Sequence, residues 1–227
     1  MKCKRKLVAD IVFVLDSSAS IHKEQFQKQL QFVEDVVGQF PISTNEIRVG
    51  LLTYSYHVYP AFNLSTFNSV TSLRRGIQRA KYAGQGTFTA QAIEYTREVM
   101  FSNESGGRQN VPEIMIIITD GISENQTATT SEAKTAKLKG IKIIVVGIGN
   151  GVDKTELQTI SSDPSSKFMI NVNSYGKLDT IMDMLAGKAC TGILFYIYHT
   201  YIWYIRTRTV ELSEHFAFIF GYLYSIL

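Results

Sequence analysis

Ala9-Asp-Ile-Val-Phe-Val-Leu-Asp16, running into Ser17-Ser-Ala-Ser20, is a short apolar run that ends in a carboxylate and then turns polar. A strand covered on one face alternates apolar and polar residues, whereas one covered on both faces is apolar nearly throughout. The run is of the second kind, so it predicts a buried strand of a parallel sheet. Pro112-Glu-Ile-Met-Ile-Ile-Ile-Thr-Asp120 repeats the pattern, again ending in Asp, and Ile141-Lys-Ile-Ile-Val-Val-Gly147 is a third such run.

Helical patterns separate these strands. Residues Ile21 to Gln39 carry apolar side chains at Phe26, Leu30, Val33, Val36 and Val37, a helical spacing. Residues 66–81 predict one or two short helices. Thr89 to Phe101 predicts a helix with Ala92, Ile93 and Val99 inward, and residues 128–139 another. Asp153 to Ser161 reads as a short helix, Lys167 to Asn171 as a last strand and Ser174 to Ala189 as a last helix. Ile47-Arg-Val-Gly-Leu-Leu-Thr-Tyr54 is a further strand, with Tyr56 to Phe62 running back along its edge.

Strands alternating with helices predict an α/β fold: a doubly wound, mostly parallel six-stranded sheet of Rossmann-like type, with one antiparallel edge strand and helices on both faces. The 227 residues divide into an N-terminal flank at 1–7, one domain at 8–189 and an aromatic-rich tail at 190–227. The tail's apolar runs, Gly192 to Ile205 and Phe216 to Leu227, fall short of the roughly 20 residues of a membrane span. Interfacial membrane contact by the tail stays open. The net charge of +3 gives no reason to expect a nucleic-acid partner.

Sheets of this kind bind ligands beyond the carboxyl ends of their strands. Asp16 and Asp120 both close a strand there. Asp16-Ser-Ser-Ala-Ser20 presents a carboxylate and, at alternate positions, the hydroxyls of Ser18 and Ser20. Gly84-Gln-Gly-Thr-Phe-Thr-Ala90 offers Thr87 from a glycine-flanked loop, and Gly121 follows Asp120 where a sharp turn is needed. Oxygen donors with few carboxylates suit a hard cation such as Mg2+ and leave it electrophilic. A polar turn capping the next helix is the plainer reading of the first motif alone.

Taken in order, Asp-Ile-Val-Phe-Val-Leu-Asp-Ser-Ser-Ala-Ser, Arg-Val-Gly-Leu-Leu-Thr-Tyr-Ser, Gly-Gln-Gly-Thr-Phe-Thr-Ala and Ile-Ile-Ile-Thr-Asp-Gly closely resemble the von Willebrand factor type A domain with its metal-ion-dependent adhesion site. The extracellular-matrix branch, type VI collagen and matrilins, is most similar. The resemblance implies a metal set of Asp16, Ser18, Ser20, Thr87 and Asp120, with Mg2+ bound (Mn2+ or Ca2+ as substitutes). It also implies a non-enzymatic adhesion module whose protein partner, such as collagen or another matrix protein, completes the metal shell with a Glu or Asp. Ala19 stands where that family commonly has glycine.

Cys3 and Cys190 flank the domain, as cysteines do in that branch, and a bridge between them or two free thiols are both open readings. Three sequons, at Asn63, Asn103 and Asn125, suit an extracellular, secreted surface. Leu7 to Leu15, broken by Asp10, is no signal-peptide core, so an extracellular reading takes the leader as lying outside this sequence. A phosphatase with a strand-end Asp nucleophile is disfavoured because Ser18 stands where a second carboxylate is wanted. A metal-independent structural or assembly domain is the alternative. His22, His57, His199 and His215 are dispersed, Gly147-Ile-Gly-Asn-Gly151 follows too late a strand for a dinucleotide site, and Ser55 and Ser123 are candidates for the site's rim.

Overall fold

The computed structural model describes residues 8–189. Cys3, Cys190, His199, His215 and the aromatic tail lie outside them. The strands are β1 (Ala9–Asp16), β2 (Ile47–Tyr54), β3 (Val58–Phe62), β4 (Glu113–Thr119), β5 (Lys142–Ile148) and β6 (Met169–Val172). The helices are α1 (Lys23–Val37), α2 (Val70–Ile77), α3 (Thr89–Tyr95), α4 (Gln126–Leu138), α5 (Lys154–Ile160) and the single turn α6 (Ser165–Phe168). The strands form one sheet in the order β3-β2-β1-β4-β5-β6, parallel except for β3, which runs antiparallel to β2. This is the expected six-stranded α/β architecture, with β3 as the antiparallel edge. Pro60 sits exposed on that edge strand, where a missing N–H disrupts no inner ladder.

Successive side chains of a strand point to opposite faces, and β1 divides its apolar residues accordingly. Ile11, Phe13 and Leu15 pack with Phe26, Leu30 and Val33 of α1 and with Leu73 and Ile77 of α2. Val12 and Val14 pack on the other side with Ala92 and Ile93 of α3 and Ala133 and Ala136 of α4. All eight residues of β1 are buried, which is why its sequence shows no alternation.

The differences from expectation are local. Residues 66–81 contain one helix, α2, within the one or two expected. The helix expected through Phe101 stays α-helical to Tyr95 and continues as a π-helix over Thr96–Met100, with Thr96 Oγ1 donating to the Ala92 carbonyl at 2.7 Å. That extra hydroxyl bond competes with the backbone ladder and accompanies the wider winding. The last helix opens as a 3-10 stretch, Tyr175–Ile181, before residues 182–189 turn α-helical.

The amino edge of the sheet is held by Arg108, in the segment before β4. Its Nε and Nη2 donate to Asp10 Oδ1 at 2.9 and 2.6 Å, its backbone N–H donates to Asp10 Oδ2 at 2.8 Å, and Nη2 also donates to the Ala9 and Glu46 carbonyls. Asp10 is fully buried. It faces Glu113 across the β1–β4 ladder.

Burial, reinforced by the Asp10 charge, pushes the Glu113 carboxyl up to about 7 from its usual 4.5. Between those values the folded chain holds a proton that the unfolded chain has released. Stability from this group is therefore present below about pH 4.5 and lost as pH rises through 7. Glu113→Gln is expected to raise the urea midpoint at pH 8 and leave it little changed at pH 4. Equal midpoints for wild type and variant at pH 8 would count against this assignment.

Candidate metal centre

Strand order places β1 between β2 and β4, so the connections from its two neighbours leave in opposite directions. Their carboxyl ends form the switch point at which such sheets bind ligands. Asp16 is the last residue of β1, and Asp120 follows the last residue of β4. The β1–β4 register, Leu15 opposite Ile118, brings the two ends level.

The loop after β1 is held by the loop before α3. Ser18 bridges to Gln85, Ala19 N–H donates to the Gln85 carbonyl at 2.7 Å, and Gly84 N–H donates to the Ser17 carbonyl at 2.8 Å. Gly84 takes a φ of +69°, a conformation glycine adopts without steric cost. Thr87 is locked in turn from behind: its carbonyl accepts from Glu124 N–H, and Phe88 N–H donates to the Ser55 carbonyl, both at 3.0 Å.

The side chains meet in one network. Ser18 N–H donates to Asp16 Oδ1 at 2.8 Å, Thr119 Oγ1 donates to Asp16 Oδ2 at 2.7 Å, and Ser18 and Ser20 hydroxyls are 3.1 Å apart. Ser20 Oγ donates to Asp120 Oδ1 at 2.6 Å. A Cβ placed on Gly121 would stand 3.8 Å from Thr87 Oγ1 and 4.0 Å from Ser20 Oγ. Asp16, Ser18, Ser20, Thr87 and Asp120 are thus brought to one place by three separate loops.

Gly121 was expected to be needed for a sharp turn. It is not among the glycines of positive φ, and the open space at its Cβ position faces the Thr87 and Ser20 hydroxyls instead.

The electrostatics of this group suit a cation. Burial pushes the Asp16 carboxyl up to about 6; hydrogen bonds from Ser18 and Thr119 pull it down, and the nearby Asp120 charge pushes it up. Burial and then the Asp120 and Asp16 charges hold the Tyr175 phenol above its usual range. A buried carboxylate whose ionisation a neighbouring Asp120 charge opposes, surrounded by neutral hydroxyls, makes a donor set that a divalent ion relieves. Among the described residues no cluster of three or more His, Cys, Asp or Glu occurs. A site with two carboxylates therefore depends on its hydroxyls for the remaining donors, and it fits a hard oxygen-liganded cation rather than a thiolate- or imidazole-bound one.

Several supporting residues escape sequence reasoning. Thr119 orients Asp16, and Gln29 of α1 reaches both the Asp16 carbonyl and the Tyr175 hydroxyl at 3.3 Å. Gly151 passes so close under the Asp120 turn that a Cβ there would lie 2.6 Å from the Asp120 carbonyl oxygen. Thr119 stands within a quoted motif; Gln29 carries no signal beyond its place on a buried helix face. Ser123 and Ser55 are buried rather than rim residues, and Ser123 hydrogen-bonds the buried Glu156 carboxylate through both N–H and hydroxyl. Strand β5 runs through Gly147 and Ile148, and Gly149, at a φ of +78°, opens the bend that follows, so the segment is a strand end and a bend after a late strand.

The sequence profile of the von Willebrand factor type A domain matches residues 10–184, which hold all five clustered side chains. The chain belongs to the von Willebrand factor type A domain family. It is 33% identical to mouse matrilin-2 over 192 residues, 83% of this chain and 20% of that protein. It is 32% identical to the mouse collagen alpha-4(VI) chain over 193 residues, 84% of this chain and 8% of that one. The chain thus spans a fifth or less of these two relatives. Among solved structures it is similar to proximal thread matrix protein 1 from the mussel byssus, with zinc occupying its MIDAS motif. That similarity has a TM-score of 0.77 at 30% identity, covering 83% of this chain and 49% of that one. These relatives place the type A domain in the extracellular-matrix branch of its family and outside the cell. Among the described residues no helix is long and apolar enough to cross a membrane.

Proposed function

We propose that the domain is a non-enzymatic adhesion module. It holds one divalent cation through Asp16, Ser18, Ser20, Thr87 and Asp120, and a Glu or Asp from a partner protein completes the shell. The observation that carries this reading is the convergence of two carboxylates and three hydroxyls from three loops on the carboxyl edge of the sheet, with the Ser20–Asp120 bond of 2.6 Å closing the group. The zinc-occupied motif of the byssus protein supports a divalent ion, and the all-oxygen donor set favours Mg2+, with Mn2+ or Ca2+ as substitutes.

When bound, the cation supplies a Lewis-acidic centre for an incoming carboxylate. The chain's own residues orient and desolvate that centre. Thr119 and Ser18 fix the Asp16 carboxylate, Gln29 ties the Asp16 main-chain carbonyl to the Tyr175 hydroxyl, and Gly121 leaves the approach clear. With only two carboxylates among the five donors, a divalent ion keeps an appetite for a further negative ligand. The matrilin and type VI collagen relatives support a matrix protein, collagen included, as the source of that carboxylate. The same donor set supports a binding role over catalysis, since position 18 carries a hydroxyl and not the second carboxylate a phosphatase nucleophile would use.

Retention of the chain on immobilised matrix collagen, compared in Mg2+ and in EDTA, tests the reading. Capture is expected in Mg2+ and lost in EDTA. Capture that persists undiminished in EDTA would instead favour a metal-independent assembly domain.

A further inference from the structure

Of the three sequons, Asn125-Gln-Thr127 alone lies at the carboxyl edge of the sheet. Asn63 and Asn103 belong to the opposite edge, where Gly106 lies against Ser65 and its carbonyl accepts from Arg48. Asn125 follows Glu124, whose N–H holds the Thr87 carbonyl, so it stands at the rim of the proposed cation site. It is exposed, as is Thr127. Its Oδ1 caps α4 by accepting from Ala128 N–H at 2.9 Å, an arrangement that leaves Nδ2 free to be substituted without loss of the cap.

Beside it a groove of about 270 Å³ runs between α3 and α4, bordered by Phe88, Gln91, Glu94, Asn125, Thr129 and Glu132. Gln91 and Glu94 are exposed. Thr129 is fully buried, and its hydroxyl has no hydrogen-bond partner among the described residues. An aromatic ring, a side-chain amide and carboxylates around a volume of this size form a lining suited to a sugar ring, which offers an apolar face and several O–H groups.

We propose that Asn125 is an N-glycosylation site and that the first N-acetylhexosamine of its glycan seats in the α3–α4 groove. In the transfer, Asn125 Nδ2 bonds to the anomeric carbon of an oligosaccharide carried on a lipid pyrophosphate. The bond from that carbon to the pyrophosphate oxygen breaks, the lipid pyrophosphate leaves with the electron pair, and the amide nitrogen gives up one proton. The attached sugar is held beside its groove by the bond itself, so weak contacts suffice to seat it.

The full chain, secreted from eukaryotic cells behind a supplied leader, tests both parts. Treatment with peptide-N-glycosidase converts a glycosylated Asn to Asp, and mass analysis of the peptide is expected to show that conversion at residue 125. An unmodified Asn125 would overturn the proposal. For the seating, amide exchange over residues 126–132 is compared in two forms: chain trimmed by an endoglycosidase to its first sugar, and the unglycosylated Thr127→Ala variant, which keeps the Asn125 cap. Exchange severalfold slower in the trimmed form is expected, and equal exchange would show that the sugar does not occupy the groove. Neither measurement involves the cation, so its outcome is independent of the adhesion reading.

Discussion

Asp16→Asn is expected to abolish measurable divalent-cation binding while leaving the fold intact. Asn keeps the size of Asp and an oxygen that can accept from Ser18 N–H, so the network around it can re-form. It lacks the negative charge, and with Asp120 left as the sole carboxylate the five-donor set loses half of its anionic character. Loss of a partner that merely orients a ligand commonly weakens metal binding by about 10–100-fold, so removing a charged ligand is expected to weaken it by about 100-fold or more. Without metal, the variant also removes a buried charge that lies close to Asp120. Its urea midpoint in EDTA is therefore expected to equal or exceed that of wild type. Calorimetric titration of Mg2+ and Mn2+ into both proteins measures the first effect. Equal affinity would show that the carboxyl edge of the sheet is not where the ion binds.

Arg108→Ala is expected to have the largest effect on stability. It leaves the fully buried Asp10 without its guanidinium partner and strips the Ala9 and Glu46 carbonyls of a donor. Breaking one side of a buried ion pair costs about 3–5 kcal/mol, because the remaining charge is uncompensated. For a domain of this size that corresponds to a melting temperature lower by about 10 °C. The double variant Arg108→Ala, Asp10→Asn is expected to recover part of the loss, since it removes the orphaned charge. Thermal melts of the single and double variants check this; a single variant within about 1 kcal/mol of wild type would show the pair to be dispensable. The site at the other end of the sheet is untouched by this change, so folded Arg108→Ala protein is expected to bind cation as wild type does.

Much of this molecule was legible in its order of residues. Runs such as Ile114 to Ile118 are apolar without alternation because helices cover both faces of the sheet, and that burial leaves its mark directly on composition. Asp16 and Asp120 were readable as candidate site residues because each closes such a run, and the proposed site's location follows from strand ends. Boundaries were less readable. The π-helix at Thr96–Met100, where the Thr96 hydroxyl bonds the Ala92 carbonyl, and the 3-10 opening of the last helix have no periodic signature.

The chain order by itself determined the class of fold and pointed to Asp16 and Asp120, because buried strands and their carboxylate ends are local patterns; the proposed set of five donors came from the family resemblance. Only the tertiary structure decided that Thr119, Gln29, Tyr175 and Gly151 support that candidate site, and that Arg108 answers the Asp10 charge in the first strand. Those partners come from segments as much as 146 residues apart along the chain. Contacts between distant segments follow from packing, which no local spacing of residues encodes.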